Sequence, residues 1–367
     1  MPSNDLSTLY ARQGQSLWLD NLSRELLSDG KLAELIANFG IRGLTSNPAI
    51  FKKAIVGSPF YTDDMARLKR EYDDIEDVYE HLVLTDIQQA CDLLRPIWDE
   101  SRGEDGWVSW EEAPRIAHDA ASTVLAAERL KKLADRPNLL IKVPATDEGI
   151  EAFELLIGRG ISVNVTLMFS LDQVKRVFAA YIRGLKALRA SGGAVSRVRA
   201  VASLFMSRVD TLVDQQLTDL ATPKALELRG KAALALSGMS YQHFREVFEG
   251  DEFSEMAQLG ARPQYLLWAS TGTKNPAYSD VLYVESLIAP KTINTLPEAT
   301  LKAFADHGRV ASMLKPRLAE DQSVWAQLAA AGIDMDGAVG HQLLDEGLDL
   351  FAQAFDDLLA AIAQTGA

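Results

Sequence analysis

Eight short apolar runs alternate with longer helical patterns along the chain, and this alternation limits the folds that it can adopt. Strand–helix alternation favours a parallel sheet, because each helix returns the chain to the start of the next strand. Eight such strands suggest a closed (β/α)8 barrel, although a doubly wound open sheet has a similar rhythm. The predicted strands are residues 16–20, 43–47, 107–111, 139–143, 162–166, 200–205, 265–270 and 284–288.

The helical patterns lie between most of these strands and continue to the end of the chain. The C-terminal stretch 343–362 carries Leu and Phe at helical spacing, which predicts an amphipathic helix packed on the outside of the barrel. We expect one domain over residues 1–367, with 340–367 as a C-terminal helical extension. Other predicted helices include 32–38, 75–94, 114–133, 149–157 and 171–188.

Length and charge narrow the class of protein. The chain has 367 residues, which suits one barrel domain, and a net charge of −14. An acidic chain lacks the general basic face that nucleic acids and anionic membranes require, but a local cationic cluster can still bind a small anion. A single cysteine, no targeting pattern in residues 1–5 and no long apolar window together predict a cytoplasmic protein. A monomer and a homodimer fit equally.

Polar residues interrupt the predicted strands near their carboxyl ends. Buried parallel strands normally read as nearly continuous apolar runs. Residues two apart share one face of a strand, so Ser162, Asn164 and Thr166 face the same side. Active sites of (β/α)8 barrels lie at the carboxyl ends of the strands, which is where these residues fall. The other polar residues in these positions are Asp20, Thr45, Asn47, Ser109, Glu111 and Lys142.

Each of these residues also has a purely structural interpretation when it is taken alone. Asp20 would cap the following helix, and Asn47 with Pro48 would form a turn. Glu111 would begin a solvated helix, and Lys142 would reach solvent from the rim of the barrel. Their recurrence at five or six strand ends favours an active site over all of these.

Lys142 suggests the chemistry, because it lies inside an apolar strand. Burial disfavours the charged ammonium, and a neutral amine can attack a ketone to form a Schiff base. The iminium then withdraws electrons from the neighbouring carbon–carbon bond, which permits a retro-aldol cleavage. The sequence therefore predicts that Lys142 is a nucleophile.

Proton transfer and sugar binding need further groups. Asp20 and Glu111 end different strands and are candidates for acid–base catalysis. Thr166 is placed to hold a water molecule between Glu111 and the lysine. Asn47 and Asn164 offer amides that bind sugar hydroxyls without adding charge.

Phosphate binding requires cations or a helix N-terminus. Arg208 follows the sixth strand, and the segment from Ser270 to Lys274 follows the seventh. The structural alternative for Arg208 is an ion pair with Asp210 or Asp214. The five histidines are far apart without metal-ligand spacing, and no dinucleotide or P-loop motif is present, so we expect neither a metal nor a cofactor.

At these residues the chain resembles the transaldolase family. Residues 45–48 resemble its T-S-N-P signature, and residues 141–146 resemble the segment that carries the Schiff-base lysine. Residues 164–170 resemble N-V-T-L-x-F-S, and residues 288–297 resemble the eighth-strand G-P-x-T-x-N-T-x-P. Insertions near residues 103–107 and 228–258 suggest a longer bacterial subgroup.

The resemblance implies a class I aldolase barrel that transfers dihydroxyacetone from sedoheptulose 7-phosphate to glyceraldehyde 3-phosphate, in the non-oxidative pentose phosphate pathway. It implies that Lys142 forms the Schiff base, that Glu111 and Thr166 handle the catalytic water, and that Asp20 is the acid–base group at the cleaved bond. It further implies a sugar site formed by Thr45, Asn47, Asn164 and Ser203, and a phosphate ligand at Arg208.

The sequence departs from the family pattern at one position. It also leaves three alternative functions to be considered. Many members carry Ser-Phe-Arg after the seventh strand, where this chain has Ser270 and, further on, Lys274 as the replacement cation. The nearest rival is a fructose-6-phosphate aldolase, but those enzymes carry Gln at Glu111 and Tyr at Phe205. A pyridoxal-phosphate enzyme and a barrel without catalysis are more distant alternatives.

Overall fold

The structure is a computed structural model that describes residues 6–312 and 314–365. Residues 1–5, where the sequence shows no targeting pattern, lie outside the described residues. The last two residues of the predicted extension 340–367 lie outside them as well.

Eight parallel strands form a closed barrel in which each strand pairs with its neighbours in chain order, and the last strand pairs with the first. This confirms the (β/α)8 barrel and excludes the open doubly wound sheet. The strands are β1 Gln15–Leu19, β2 Ile41–Thr45, β3 Trp107–Glu111, β4 Leu139–Pro144, β5 Val163–Met168, β6 Ala200–Phe205, β7 Tyr265–Ala269 and β8 Thr292–Leu296.

The prediction of the eighth strand was wrong. Residues 284–288 fall in the short helix Leu282–Glu285 and in the turn after it, and the strand is Thr292–Leu296. Val284, Leu287 and Ile288 are apolar at helical spacing, and all three are buried. Three of the five residues of the true strand are polar, namely Thr292, Asn294 and Thr295, so a search for apolar runs does not find it.

Helices surround the barrel and confirm the predicted strand–helix alternation. The α-helices are Leu9–Gln13, Arg24–Ser28, Lys31–Phe39, Pro48–Ile55, Thr62–Glu71, Ile75–Glu100, Ala120–Ala134, Asp147–Gly158, Leu171–Ala190, Ser207–Leu220, Pro223–Leu226, Ala232–Phe248, Asp251–Gln258, Leu282–Glu285, Glu298–His307, Leu314–Ala330 and Gly340–Gln364. Short 3₁₀ helices span Leu6–Thr8, Pro59–Tyr61, Pro114–Ile116 and Val195–Arg197, and a π-helical turn spans Met335–Val339. Among these helices, none is long and apolar enough to cross a membrane.

The C-terminal helix Gly340–Gln364 confirms the predicted tail helix. It packs against Pro48–Ile55, the helix that follows β2, and it also contacts β5 and the 3₁₀ turn that follows β3. Phe351 and Phe355 are buried on its inner face. The helix therefore reaches the carboxyl end of the barrel as well as its outer surface.

The register of the barrel brings the polar strand ends together. Glu111 of β3 lies opposite Lys142 of β4, and Lys142 lies opposite Asn164 of β5. Thr166 pairs with Pro144, two residues further along the same pair of strands. Neighbouring strands are separated by about 4.8 Å, so these side chains are within contact distance of one another.

Candidate active site

A cavity opens at the carboxyl ends of the strands, and most of the predicted site residues line it. Glu111 and Asn164 do not line it directly, but each contacts a neighbour that does, as described below. Lys274 lines a separate, adjoining cavity. The predicted residues on the central cavity are Asp20, Thr45, Asn47, Lys142, Thr166, Ser203, Phe205, Arg208 and Ser270.

Lys142 is almost fully buried, with only 4% of its surface exposed. Its Nζ donates hydrogen bonds to Glu111 Oε2 at 2.7 Å and to the carbonyl oxygen of Ser46 at 2.9 Å. The interpretation of Lys142 as a solvent-facing rim residue is therefore wrong. Its amine is held at the base of a cavity by one carboxyl group and one carbonyl group.

Glu111 shares this environment. Burial raises the pKa of its carboxyl group, and the charge of Lys142 opposes that shift. The nearby Asp20 carboxylate raises the pKa further. A carboxyl group with a raised pKa carries its proton at a higher pH than an exposed glutamate does, which suits an acid–base group beside an amine.

Asp20 does not cap the helix that follows it, because Ser23 is the N-cap of Arg24–Ser28. Its Oδ1 instead accepts a hydrogen bond from Thr45 Oγ1 at 2.7 Å. The Thr45 hydroxyl has a single proton, so Thr295 is the donor in the 2.7 Å bond between the two threonines while Asp20 is charged. Burial raises the pKa of Asp20, and Thr45 and Lys142 lower it.

Strand β5 is irregular at the point where Thr166 meets the cavity. The register with β6 shifts between Val165 and Met168, and Leu167 has a left-handed backbone with φ 56°. A left-handed leucine costs on the order of 1–3 kcal/mol, and such strain clusters at functional sites. The buried Oγ1 of Thr166 has no partner within the described part of the chain, so it is available to a water molecule or a substrate.

Two asparagines are held in defined orientations. Asn164 accepts a hydrogen bond from Ser203 Oγ at 2.7 Å and donates one to Ser109 Oγ at 3.1 Å. Asn47 caps the helix Pro48–Ile55 through its side-chain oxygen, which accepts from the Ile50 amide at 3.0 Å. Asn47 is thus the N-cap of a helix rather than part of a turn, and it also lines the cavity.

Arg208 is half-buried at the cavity, and its Nη1 has no hydrogen-bond partner among the residues that the structure describes. The alternative ion pairs with Asp210 and Asp214 are not formed. Those carboxylates instead accept hydrogen bonds from Tyr283 and Tyr278. Burial lowers the pKa of Arg208, while Glu346 and Glu111 raise it.

The segment after β7 divides between two cavities. Ser270 lines the central one with a left-handed backbone of φ 54°, and its hydroxyl bonds to that of Ser207 at 2.8 Å. Lys274 is exposed and lies with Asp210, Asp214 and other residues on the adjoining cavity. The structure therefore brings Arg208 but not Lys274 to the same cavity as Lys142.

Sequence reasoning missed five residues that line the central cavity: Ala49, Leu267, Ala269, Thr295 and Phe351. Thr295 belongs to β8, which was placed too early in the chain, although the segment 288–297 that resembles the family contains it. Phe351 comes from the C-terminal helix and looks in the sequence like any other core residue of an amphipathic pattern. Within residues 6–312 and 314–365, no cluster of three His, Cys, Asp or Glu side chains is arranged to hold a metal ion.

Comparison with known proteins identifies relatives along nearly the whole chain. The family model described as "Transaldolase/Fructose-6-phosphate aldolase" matches residues 17–362. A protein of Thiobacillus denitrificans named transaldolase is 54% identical over 352 residues, which cover 96% of this chain and 98% of the relative. A transaldolase of Neisseria gonorrhoeae is 45% identical over 95% of this chain and 97% of its own length, and one of Frankia alni is 44% identical over 99% and 97%.

Proposed function

Since the chain belongs to the transaldolase/fructose-6-phosphate aldolase family, we propose that it catalyses the transaldolase reaction through a Schiff base on Lys142. The donor is sedoheptulose 7-phosphate, and the acceptor is glyceraldehyde 3-phosphate. The products are erythrose 4-phosphate and fructose 6-phosphate, which places the enzyme in the non-oxidative pentose phosphate pathway.

The first half of the reaction uses Lys142, Glu111 and Thr166. The amine attacks the ketose carbonyl, and its contact with Glu111 at 2.7 Å gives the released proton a place to go. The resulting carbinolamine loses water to form the iminium. Glu111 donates the proton that this water needs, and Thr166, whose hydroxyl has no partner among the described residues, holds the water.

The second half uses Asp20. Its carboxylate accepts the proton of the C4 hydroxyl as the C3–C4 bond breaks, and the bonding electrons move into the iminium to give an enamine. The aldehyde leaves, and the acceptor aldehyde takes its position. The enamine carbon attacks the acceptor carbonyl, Asp20 returns the proton to the new hydroxyl, and water releases the ketose from Lys142.

Substrate binding follows from the remaining cavity residues. Asn47 lines the cavity and is assigned to the sugar hydroxyls. Asn164 lies behind the cavity surface and acts through Ser203, whose hydroxyl donates to it and lines the cavity. Among the described residues, Arg208 is the cation that lines the cavity besides Lys142, so we assign it to the substrate phosphate. Lys274 acts on the phosphate only from the adjoining cavity, as a more distant point charge.

One observation carries the proposal: an amine buried in a cavity in contact with an ionisable carboxyl group whose pKa is raised by burial. Glu111 also separates transfer from simple aldol cleavage, because the aldolases of the family that the sequence resembles carry glutamine there. Phe205, which lines the cavity where those enzymes have tyrosine, also favours transfer over simple aldol cleavage.

The test offers the enzyme fructose 6-phosphate with and without erythrose 4-phosphate. Transfer predicts that sedoheptulose 7-phosphate forms with the acceptor present, and that little free dihydroxyacetone accumulates without it. Free dihydroxyacetone released at the same rate in both reactions would assign the chain to the aldolases instead. A Glu111→Gln variant should shift the partition toward free dihydroxyacetone.

A further inference from the structure

The guanidinium of Arg208 lies near two phenylalanine rings from different parts of the chain. Its central carbon is 5.6 Å from the ring centroid of Phe205 in β6 and 5.8 Å from that of Phe351 in the C-terminal helix. Both distances are within the range of about 6 Å at which cations are attracted to aromatic faces. The C-terminal helix therefore contributes directly to the environment of this arginine.

The same helix approaches Arg208 at a second position, one turn earlier. A Cβ atom at Gly347 would lie 3.4 Å from Arg208 Nη1 and 3.0 Å from the side chain of Leu167. Leu167 is the strained residue that follows Thr166. The absence of a side chain at Gly347 therefore leaves space for the Arg208 guanidinium and for Leu167 at the irregular end of β5.

The choice of partner matters because Arg208 must remain available to an anion. A carboxylate partner would hold the guanidinium in place but would also compete with a phosphate for its donors. Aromatic faces attract the cation without occupying its N–H groups, and Nη1 is left unpartnered within the described residues. The two rings can thus fix the arginine while its hydrogen-bonding capacity stays free.

We propose that Phe351 of the C-terminal helix is a positioning residue for Arg208, and that it sets the preference of the enzyme for phosphorylated over unphosphorylated ketoses. The proposal rests on the proposed function, since it assumes that Arg208 receives the substrate phosphate. It gives the C-terminal helix a role in specificity beyond the packing expected of an outer helix.

The test compares Phe351→Leu with the wild-type enzyme. Leucine keeps an apolar side chain at this position but has no aromatic face, so we expect KM for fructose 6-phosphate and Ki for inorganic phosphate to rise roughly tenfold. The kcat should change less than about twofold, because the variant leaves Lys142 and Asp20 in place. Leu350→Ala is the matched control, because Leu350 is the preceding residue and 58% exposed, and it should change none of these values.

A phosphate-free readout separates this proposal from the proposed function. Dihydroxyacetone carries no phosphate, so borohydride should trap it on Lys142 equally well in the wild type and in Phe351→Leu. Failure to trap it in either protein would contradict the Schiff-base mechanism itself. Equal trapping with an unchanged KM for fructose 6-phosphate and an unchanged Ki for phosphate would overturn the role of Phe351 alone.

A second variant guards against a general disturbance of the helix. Gly347→Ala places a methyl group against Arg208 and Leu167, so it should also raise KM for fructose 6-phosphate selectively. If either variant weakened dihydroxyacetone trapping as strongly as phosphate binding, the helix would be a general support of the cavity, and the proposal would be wrong.

Discussion

The two ends of the barrel differ in whether their buried charged groups have hydrogen-bond partners within the protein. At the amino end, the buried Asp105 accepts hydrogen bonds from Ser16, from Trp18 Nε1 at 3.0 Å, from Arg42 Nε at 2.7 Å and from the amide of Gly106 at 3.1 Å. At the carboxyl end, within the described residues, the buried Thr166 Oγ1 and Arg208 Nη1 have no partner. Buried amide oxygens without a partner also occur at the amino end, on Gln15, Asn138 and Gln264. The contrast between the two ends therefore lies in their charged groups, because Asp105 is paired on all sides, whereas Arg208 Nη1 has no partner among the described residues.

Two arginines that lie over aromatic rings show the same contrast. Arg199, at the amino end, lies 4.2 Å from the ring centroid of Tyr265 and also has Glu104 at 4.0 Å. It donates to the backbone carbonyl oxygens of Pro263 and Glu104 at 3.3 Å. Arg208 has aromatic neighbours but forms no ion pair among the described residues. Removal of a partner from a buried, paired charge destabilises the fold, whereas a charge without a protein partner is available to a substrate.

The largest expected effect comes from removing the amine at the carboxyl end. Lys142→Met should reduce turnover by at least about 10⁴-fold, because no other lysine among the described residues lines the cavity and could form the Schiff base. The fold should survive, since Glu111, whose pKa burial already raises, can take up a proton once its partner is gone. Steady-state transfer assays and thermal unfolding measure the two effects. Residual turnover within tenfold of the wild type would contradict the assignment.

Asp20→Asn should have the next largest effect at this end. An amide cannot accept the hydroxyl proton during bond cleavage, so we expect kcat to fall by about 10²–10⁴-fold. Binding of the donor should change little, which a Kd measurement with fructose 6-phosphate would show. A loss confined to binding, with kcat preserved, would move Asp20 from catalysis to substrate recognition.

Asp105→Asn should produce the converse result at the amino end. The new NH2 group would face donors that now point at a carboxylate, and Arg42 would lose its buried partner, so unfolding free energy should fall by roughly 3–5 kcal/mol. The kcat of the folded enzyme should remain near the wild-type value below the unfolding transition. Loss of activity without loss of stability would contradict the assignment of a purely structural role to Asp105.

Thr45→Val should give the smallest effect, a shift in the pH profile. The Thr45 hydroxyl donates to Asp20 and lowers its pKa, so removing it raises that pKa. Activity that needs charged Asp20 is lost as the pH falls through this pKa, and the acidic limb of kcat/KM should therefore move to higher pH. Thr295→Val, which acts on Asp20 only through Thr45, should move it less. A shift to lower pH would contradict the proposed role of Asp20.

The sequence was sufficient for the barrel and for the placement of most of the cavity residues, because both follow from short-range patterns. Strand alternation predicted the fold, and polar residues at the strand ends predicted where Asp20, Lys142 and Thr166 would meet. Strand β8 was not predicted because three of its five residues are polar, while the apolar segment before it forms a short helix and a turn.

The remaining features depend on contacts between distant parts of the chain. Phe351 reaches Arg208 only because the C-terminal helix returns to the carboxyl end of the barrel. Arg208 has nearby acidic residues in the sequence, yet those residues bond to Tyr278 and Tyr283. Asp105 lies in a glycine-rich loop whose sequence gives no sign that it ends among the donors of β1 and β2.

The most direct measurement is borohydride reduction in the presence of fructose 6-phosphate, followed by mass spectrometry of the peptides. A dihydroxyacetone-derived adduct should appear on the peptide that contains Lys142, and it should be absent without the sugar or without borohydride. An adduct on a different lysine, or no adduct at all, would show that the unpaired groups at the carboxyl end do not serve a covalently bound ketose.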